Sequence, residues 1–338
     1  MKIIKGIIKP IIFVVIFLLI FSHLSELFCR KTLNGAWNHT HKISGFYNEP
    51  ENEFDIIYFG SSNTYCSFNP LVVYGETGLK SYVFASQQQP VWATYTYIKE
   101  ALKTQKPQLL VVDVLMFSKN LEYYDDGVNY SFMDDIPFSK NKIELAFASA
   151  PKGERFGLLF NFVKYHSRWS ELSEEDYSFE RSETKDYLKG YVLLEETFAD
   201  AKKSDVSQIR EEASLAEKET KYLEKIINLA KEENIPLLLV KTPSNVLPDD
   251  QKLFNSVKKY AEISGIPYAD FNLVYPEIGL VMNEDFYDKS HLNYKGAEKF
   301  SMYFGKYLKE NMEISPTTPT PEWDEDLNKY RSYIKGLS

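Results

Sequence analysis

Five short apolar runs, none of them diluted by alternating polar residues, constrain this 338-residue chain more than any other feature. They read FDIIYFG from residue 54, KSYVFAS from 80, PQLLVVDVLMF from 107, NIPLLLVKTP from 234 and GIPYADF from 265. A strand with one wet face alternates in polarity, whereas a run that is apolar throughout is covered on both faces, as in parallel sheets flanked by helices. Helical patterns lie between these runs. Trp92, Tyr95, Ile98 and Leu102 share a helical face before the third run, and Ile209, Ala213, Ala216, Leu223, Ile226, Ile227 and Ala230 read as one stripe on a long helix before the fourth. After the fifth comes NYKGAEKFSMYFGKYLKE, with Asn293 placed to cap it. The expected fold is a three-layer α/β/α domain around a doubly wound, parallel, five-stranded sheet.

Several segments fall outside that alternation. An unbroken apolar run from Ile11 to Phe21, extended at both ends and preceded by Lys2, Lys5 and Lys9, has about the length of a bilayer-crossing helix. Its flank, SHLSELFCRK, lacks an Ala-x-Ala cleavage site. We therefore read residues 1–30 as an uncleaved single-pass anchor in the cell membrane, N-terminus cytoplasmic and body extracytoplasmic. A cleaved signal peptide would put the body on the same side. Residues 31–53 read as a juxtamembrane linker and 54–311 as the α/β domain. A Tyr-, Phe- and acid-rich helical insertion interrupts that domain at about 119–204, and 312–338 form a tail that begins as a Pro/Thr linker.

The first 31 residues hold five basic groups and one acidic group, leaving 34 basic against 47 acidic, net −13, in the rest. Such a body is repelled by nucleic acid, and a polyanionic substrate would need a local basic patch. Lys152, Arg155, Lys164 and Arg168 are candidates. Two cysteines, Cys29 and Cys66, make no disulfide framework. With no metal-ligand cluster and no Gly-rich phosphate loop, no cofactor is implied.

The first run stops on Gly60 and is followed by Ser61 and Ser62 at the start of a helical stretch. In an open α/β sheet, ligands gather beyond the carboxyl ends of the strands, and a helix start favours negative charge. A serine there needs a base, and the base needs a group that holds its tautomer. Of five histidines, His23 lies in the anchor, His39 and His41 in the juxtamembrane segment and His166 in the insertion. His291 follows the fifth run, with Asp288 three residues before it. Cys66, one helical turn beyond Ser62, reads as a small buried cysteine rather than a rival nucleophile.

Gly60-Ser61-Ser62 and Asp288-Lys289-Ser290-His291 resemble the first and last sequence blocks of the SGNH or GDSL-like hydrolase superfamily over roughly residues 54–311. The resemblance implies an SGNH/flavodoxin-like sheet, Ser62 as nucleophile, His291 as general base and acid, and Asp288 as the orienting carboxylate. The superfamily's other oxyanion blocks are unrecognisable in FASQQQP and DVLMFSKN. The Ser62 N–H remains a donor by position, joined as candidates by the N–H of Ala85 or Ser86 and the side chains of Gln87 or Gln88. Ser61, Asn63, Asp113, Lys241, Thr242, Arg168 and Trp169 are candidate substrate contacts, and Tyr123, Tyr124, Tyr130 and Tyr165 could add to an aromatic platform. With the anchor, the chain looks most similar to the membrane-linked branch that acetylates exopolysaccharides or helps D-alanylate teichoic acid. That similarity implies acyl transfer onto a cell-envelope polymer with a multispanning membrane O-acyltransferase as partner. Two rivals keep the fold: an O-deacetylase using the same triad, and a non-catalytic polymer-binding or assembly protein.

Overall fold

The computed structural model describes residues 2–200 and 202–337, with side chains from residue 8 onward. Five strands, β1 (Ile56–Phe59), β2 (Ser81–Val83), β3 (Leu109–Asp113), β4 (Leu237–Lys241) and β5 (Tyr268–Asp270), form one sheet in the order β2-β1-β3-β4-β5. Every pairing is parallel, with Ile56 beside both Ser81 and Leu109, Leu110 beside Leu237, and Leu239 beside Tyr268. The first four strands are buried throughout, as their undiluted apolar runs require; edge strand β5 is half-buried. Helices cover both faces. Tyr294–Asn311 packs on Ser62–Ser67 and Pro70–Thr77, while Val91–Ala101 packs on Glu217–Glu232 and Lys140–Ser149.

Three segments are more ordered, or ordered differently, than their sequence pattern suggests. The stripe before β4 does not lie on one helix, because the helix begins only at Glu217. Residues upstream run extended along Pro248–Ser264 instead, with Ala213 N–H donating to Lys252 O and the Asn255 amide to Ile209 O and Glu211 O. The supposed linker holds a helix, His39–Tyr47, whose Ile43 and Phe46 enter the core, Phe46 stacking on Phe84 at 4.0 Å. The tail ends in a 17-residue helix, Pro321–Leu337, that buries Trp323, Leu327 and Tyr330. Its Trp323 Nε1 donates to Glu53 at 2.8 Å.

One helix, over Ile8–Phe28, is long and apolar enough to cross a membrane by length and composition. Its last carbonyls are capped from outside. Lys31 Nζ reaches the carbonyls of Glu26 and Leu27 at 2.8 and 3.3 Å, and Arg168 Nη1 those of Phe28 and Cys29 at 2.7 and 3.0 Å.

Gly60 ends β1 in a conformation open to glycine, φ +154°, and a Cβ there would stand 2.1 Å from Thr64 Oγ1 and 2.9 Å from Asp113 Cβ. Gly60→Ala is therefore expected to destabilise the fold by about 1–3 kcal/mol, the usual range for overpacking. Urea unfolding of the detergent-solubilised chain measures it, and a change below about 0.5 kcal/mol would show that the turn relaxes freely.

Candidate active site

The parallel register carries the ends of β1 and β3 to one edge of the sheet, and the loop after β5 returns to the same edge. At that edge β1 turns through Gly60 and Ser61 into the six-residue helix Ser62–Ser67. The opposing loop begins after the Phe286–Leu292 bridge partner Phe286 and is folded on itself by Tyr287 N–H donating to His291 O at 2.9 Å. Asp288 Oδ1 accepts the N–H groups of Ser290 and His291 at 2.7 and 2.8 Å. The carboxylate thereby organises its own loop before it touches the imidazole.

His291 Nδ1 lies 2.7 Å from Asp288 Oδ2, and its Nε2 lies 2.8 Å from Ser62 Oγ. An ionised carboxylate only accepts, so Nδ1 carries the proton and Nε2 is left to accept from the Ser62 hydroxyl. Burial pushes the Asp288 carboxyl up, but the hydrogen bond and charge of His291 and the two backbone N–H groups outweigh it, leaving Asp288 below its ordinary value. Asn63 ties the two halves together. Its Nδ2 donates to Ser290 O at 2.8 Å, joining the residue after the serine to the residue before the histidine.

Three side chains at this site carry no signal in the strand-and-motif pattern. Trp37, from the juxtamembrane segment, stands edge-on to the His291 ring at 5.8 Å and also contacts Tyr65 and Tyr287. His39 lies 4.8 Å from Tyr65, its imidazole pushed down to about 4 by burial and by Lys42 against an opposing pull from Asp135. Burial holds the Tyr65 phenol, on the helix that Ser62 begins, well above its ordinary range, so it stays protonated. The available clue was the cluster of Trp37, His39 and His41 just after the anchor.

Most of the expected substrate contacts are committed elsewhere. Ser61 and Asn63 are 1% exposed, Asn63 holding the histidine loop rather than facing solvent. Asp113 Oδ2 accepts both the N–H and the hydroxyl of Thr242, at 2.9 and 2.5 Å, while its Oδ1 accepts Leu115 N–H at 2.8 Å. These polar strand ends satisfy one another beneath the Gly60 turn. Lys241 is fully buried, its ammonium on Thr242 O and Ser244 Oγ at 2.5 and 2.9 Å. Arg168 caps the anchor helix, and Trp169, 73% exposed, sits beside it. Tyr124 packs on Trp92, and Tyr165 bonds Asp134, so the insertion does not offer them as a platform. Of the proposed basic patch, Lys164 is paired with Asp134 and Arg155 bonds Ala150 O.

Other groups lie closer to the histidine loop. A cleft of about 480 Å³ is lined by Phe198, Asp200, Lys202, Asn245 and Lys289. On the opposite flank, Val83 pairs with Tyr58 and Phe84 N–H donates to Tyr58 O at 2.9 Å, after which Ala85 and Ser86 follow the end of β2. The Ser86 hydroxyl bonds Gln89 at 3.0 Å, Gln87 O accepts from Ser131, and Gln88 adopts φ +47°. Cys66 is fully buried, and burial with the nearby Asp288 charge raises its thiol well above the ordinary range despite Lys42. Among the described residues, no group of three His, Cys, Asp or Glu side chains could hold a metal ion.

A family model without a descriptive name matches residues 167–313, less than half of the chain. No curated protein matches it. Eight solved chains do. One is a Bacteroides fragilis protein provisionally described as an acylhydrolase, at 12% identity and a TM-score of 0.37, covering 78% of this chain and 91% of its own.

A depressed Asp288 carboxyl contributes stability that is fully present above the unfolded value of about 3.9 and is lost as pH falls through the lower folded value. A carboxyl-carbon NMR titration should place the Asp288 inflection below that of an unfolded peptide. An inflection at or above it would mean that the imidazole and the two N–H groups do not hold the charge.

Proposed function

We propose that the chain is a membrane-anchored serine acyltransferase that moves an O-acyl group, most simply acetyl, onto a cell-envelope polysaccharide or teichoic acid through an acyl-Ser62 intermediate. The observation that carries this reading is the unbroken line from Asp288 through His291 to Ser62, at 2.7 and 2.8 Å. Ser62 Oγ attacks the acyl carbonyl as its proton passes to His291 Nε2, and the Asp288 carboxylate stabilises the imidazolium. The carbonyl oxygen becomes an oxyanion within reach of the Ser62 N–H, which at the helix start has no intrahelical partner, and of the N–H groups after β2. Collapse expels the leaving group, which takes the proton from His291, and leaves an ester on Ser62. A polymer hydroxyl then gives its proton to His291, attacks that ester, and restores the serine.

The acceptor, rather than the triad, separates transfer from hydrolysis. Trp37 over the His291 ring supplies an apolar wall that disfavours water and suits a sugar face. Lys202 and Lys289 in the neighbouring cleft supply, on an otherwise acidic body, the local positive charge that an anionic polymer needs. The apolar Ile8–Phe28 helix, long enough to cross a bilayer, supports a reaction at a membrane, where a multispanning O-acyltransferase would deliver the acyl group.

A fluorophosphonate should label the full chain once, at Ser62. Ser62→Ala abolishes the label, His291→Ala lowers its rate by 10³-fold or more, and Cys66→Ala leaves it unchanged. Asn63→Ala, which frees the histidine loop, should slow labelling by about tenfold. In cells, Ser62→Ala should remove acyl groups from an envelope polymer. Labelling with unchanged acylation, combined with rapid hydrolysis of small acetyl esters, would make the protein an O-deacetylase. No labelling at all would leave a polymer-binding role.

A further inference from the structure

The anchor helix and the insertion enclose a cavity of about 680 Å³ that the acyl-transfer chemistry does not use, within the range of small-molecule sites. Leu18, Phe21 and Ser22 form its helix side; Phe138, Leu159 and Phe160 form its body side. Leu18 to Ser25 lie three to ten residues before the end of the apolar Ile8–Phe28 stretch, or roughly 5–15 Å below it at 1.5 Å per residue. The mouth of this cavity therefore opens into the bilayer boundary.

Its body-side rim fits that position. Phe160 meets Phe21 edge-on at 5.4 Å, and Phe138 and Phe156 pack on Phe160 at 5.6 and 4.9 Å. Phe138 and Phe156 are each 61% exposed. A ring cluster that is continuous with a membrane-spanning helix and bare on its outer side is covered by lipid rather than water.

The inner end of the cavity is polar, its lining holding three carboxylates against two cations. Arg181 bonds Glu26 and Asp135 at 2.8 and 2.7 Å, Lys142 Nζ donates to Ile136 O at 2.9 Å, and Asp134 is held by Lys164 and Tyr165. With Glu26, Asp134 and Asp135 set against Lys142 and Arg181, the described lining carries no excess positive charge to receive an anionic head. Two neutral atoms are left without partners: Ser25 Oγ and Asn161 Oδ1. Asn161 is 8% exposed, and its Nδ2 reaches Asp134 O at 3.4 Å, an orientation whose reversal would set two carbonyl oxygens together. Its Oδ1 is thus a fixed acceptor that lacks a donor, a cost the native fold keeps only where something supplies one.

We propose that this cavity binds a membrane lipid with an uncharged, hydroxyl-bearing head, an acylglycerol. The lipid enters sideways from the bilayer, its chain lies along the wall of Leu18, Phe138, Leu159 and Phe160, and its head hydroxyls donate to Asn161 Oδ1 and pair with Ser25 Oγ. The site is separate from Ser62 and stands whether or not the acyl-transfer reading does.

Photo-crosslinking of the full-length protein in detergent tests the proposal, using a monoacylglycerol with a diazirine in its chain and the matching fatty acid, with adducts located by peptide mass spectrometry. The monoacylglycerol should label residues 18–22 and 138–160 and the fatty acid should label them weakly. Asn161→Leu should lower the monoacylglycerol adduct about fivefold, as loss of one neutral hydrogen bond allows. Ser22→Trp, an exposed position at the mouth that leaves the body untouched, should lower it by blocking entry and keeps the test decisive if Asn161→Leu fails to fold. Equal labelling by the fatty acid would overturn the head-group assignment. Adducts scattered along residues 8–18 and indifferent to both variants would reduce the cavity to ordinary lipid contact.

Discussion

Everything at the candidate site depends on holding one imidazole between two oxygens that the chain places 226 residues apart. Asp288 fixes the histidine loop through two backbone N–H groups as well as through the ring, so the base is positioned by the same carboxylate that sets its tautomer. Asn63 then clamps that loop to the serine turn. The turn in turn needs Gly60, because any side chain there would meet Thr64 and Asp113. The polar pair of Asp113 and Thr242 closes β3 against β4 directly beneath it. Preorganisation of this kind is what a general base requires, since a misplacement of about 1 Å can cost roughly a hundredfold in rate.

The sheet and the triad positions were legible because their signals are local and strong. Undiluted apolar runs such as IIYF and LLLV have no stable place except a sheet covered on both faces. Glycine at position 60, serine at 62 and the Asp288-x-x-His291 spacing each encode geometry over a few residues. Polar residues at strand ends were misread for a physical reason: Asp113, Lys241 and Thr242 do reach the active edge in sequence, but buried polar groups bond the nearest partner, and here they are one another's partners. Trp37 and Tyr65 were missed because their roles arise from long-range packing; the Trp37, His39 and His41 cluster marks an unusual segment but does not say that it returns to His291. The extended stretch around Ala213 was misread as helix because an apolar spacing of three and four does not reveal that a neighbouring helix supplies its backbone partners.

The anchor is joined to the body by more than a covalent link. Arg168 and Lys31 cap its final carbonyls, and Arg181 connects Glu26 on the helix to Asp135 in the insertion and Ser44 in the juxtamembrane helix. The same juxtamembrane segment carries Trp37 to the His291 ring. A continuous series of contacts therefore runs from the apolar N-terminal helix to the sheet edge that carries Ser62, and the two are held together by packing rather than by a loose tether. Arg168 and Trp169, read as candidate substrate contacts, instead lie at the end of the apolar N-terminal helix, whose last carbonyls Arg168 caps.

The most direct test of the account is to trap the covalent intermediate. The full-length chain is mixed with a short activated acyl ester, quenched, and followed by intact-mass and peptide mass spectrometry. The account predicts one acyl group on Ser62, formed quickly, absent in His291→Ala, and discharged faster when a polysaccharide acceptor is added. An adduct elsewhere, or one on Ser62 that forms equally well without the imidazole, would contradict it.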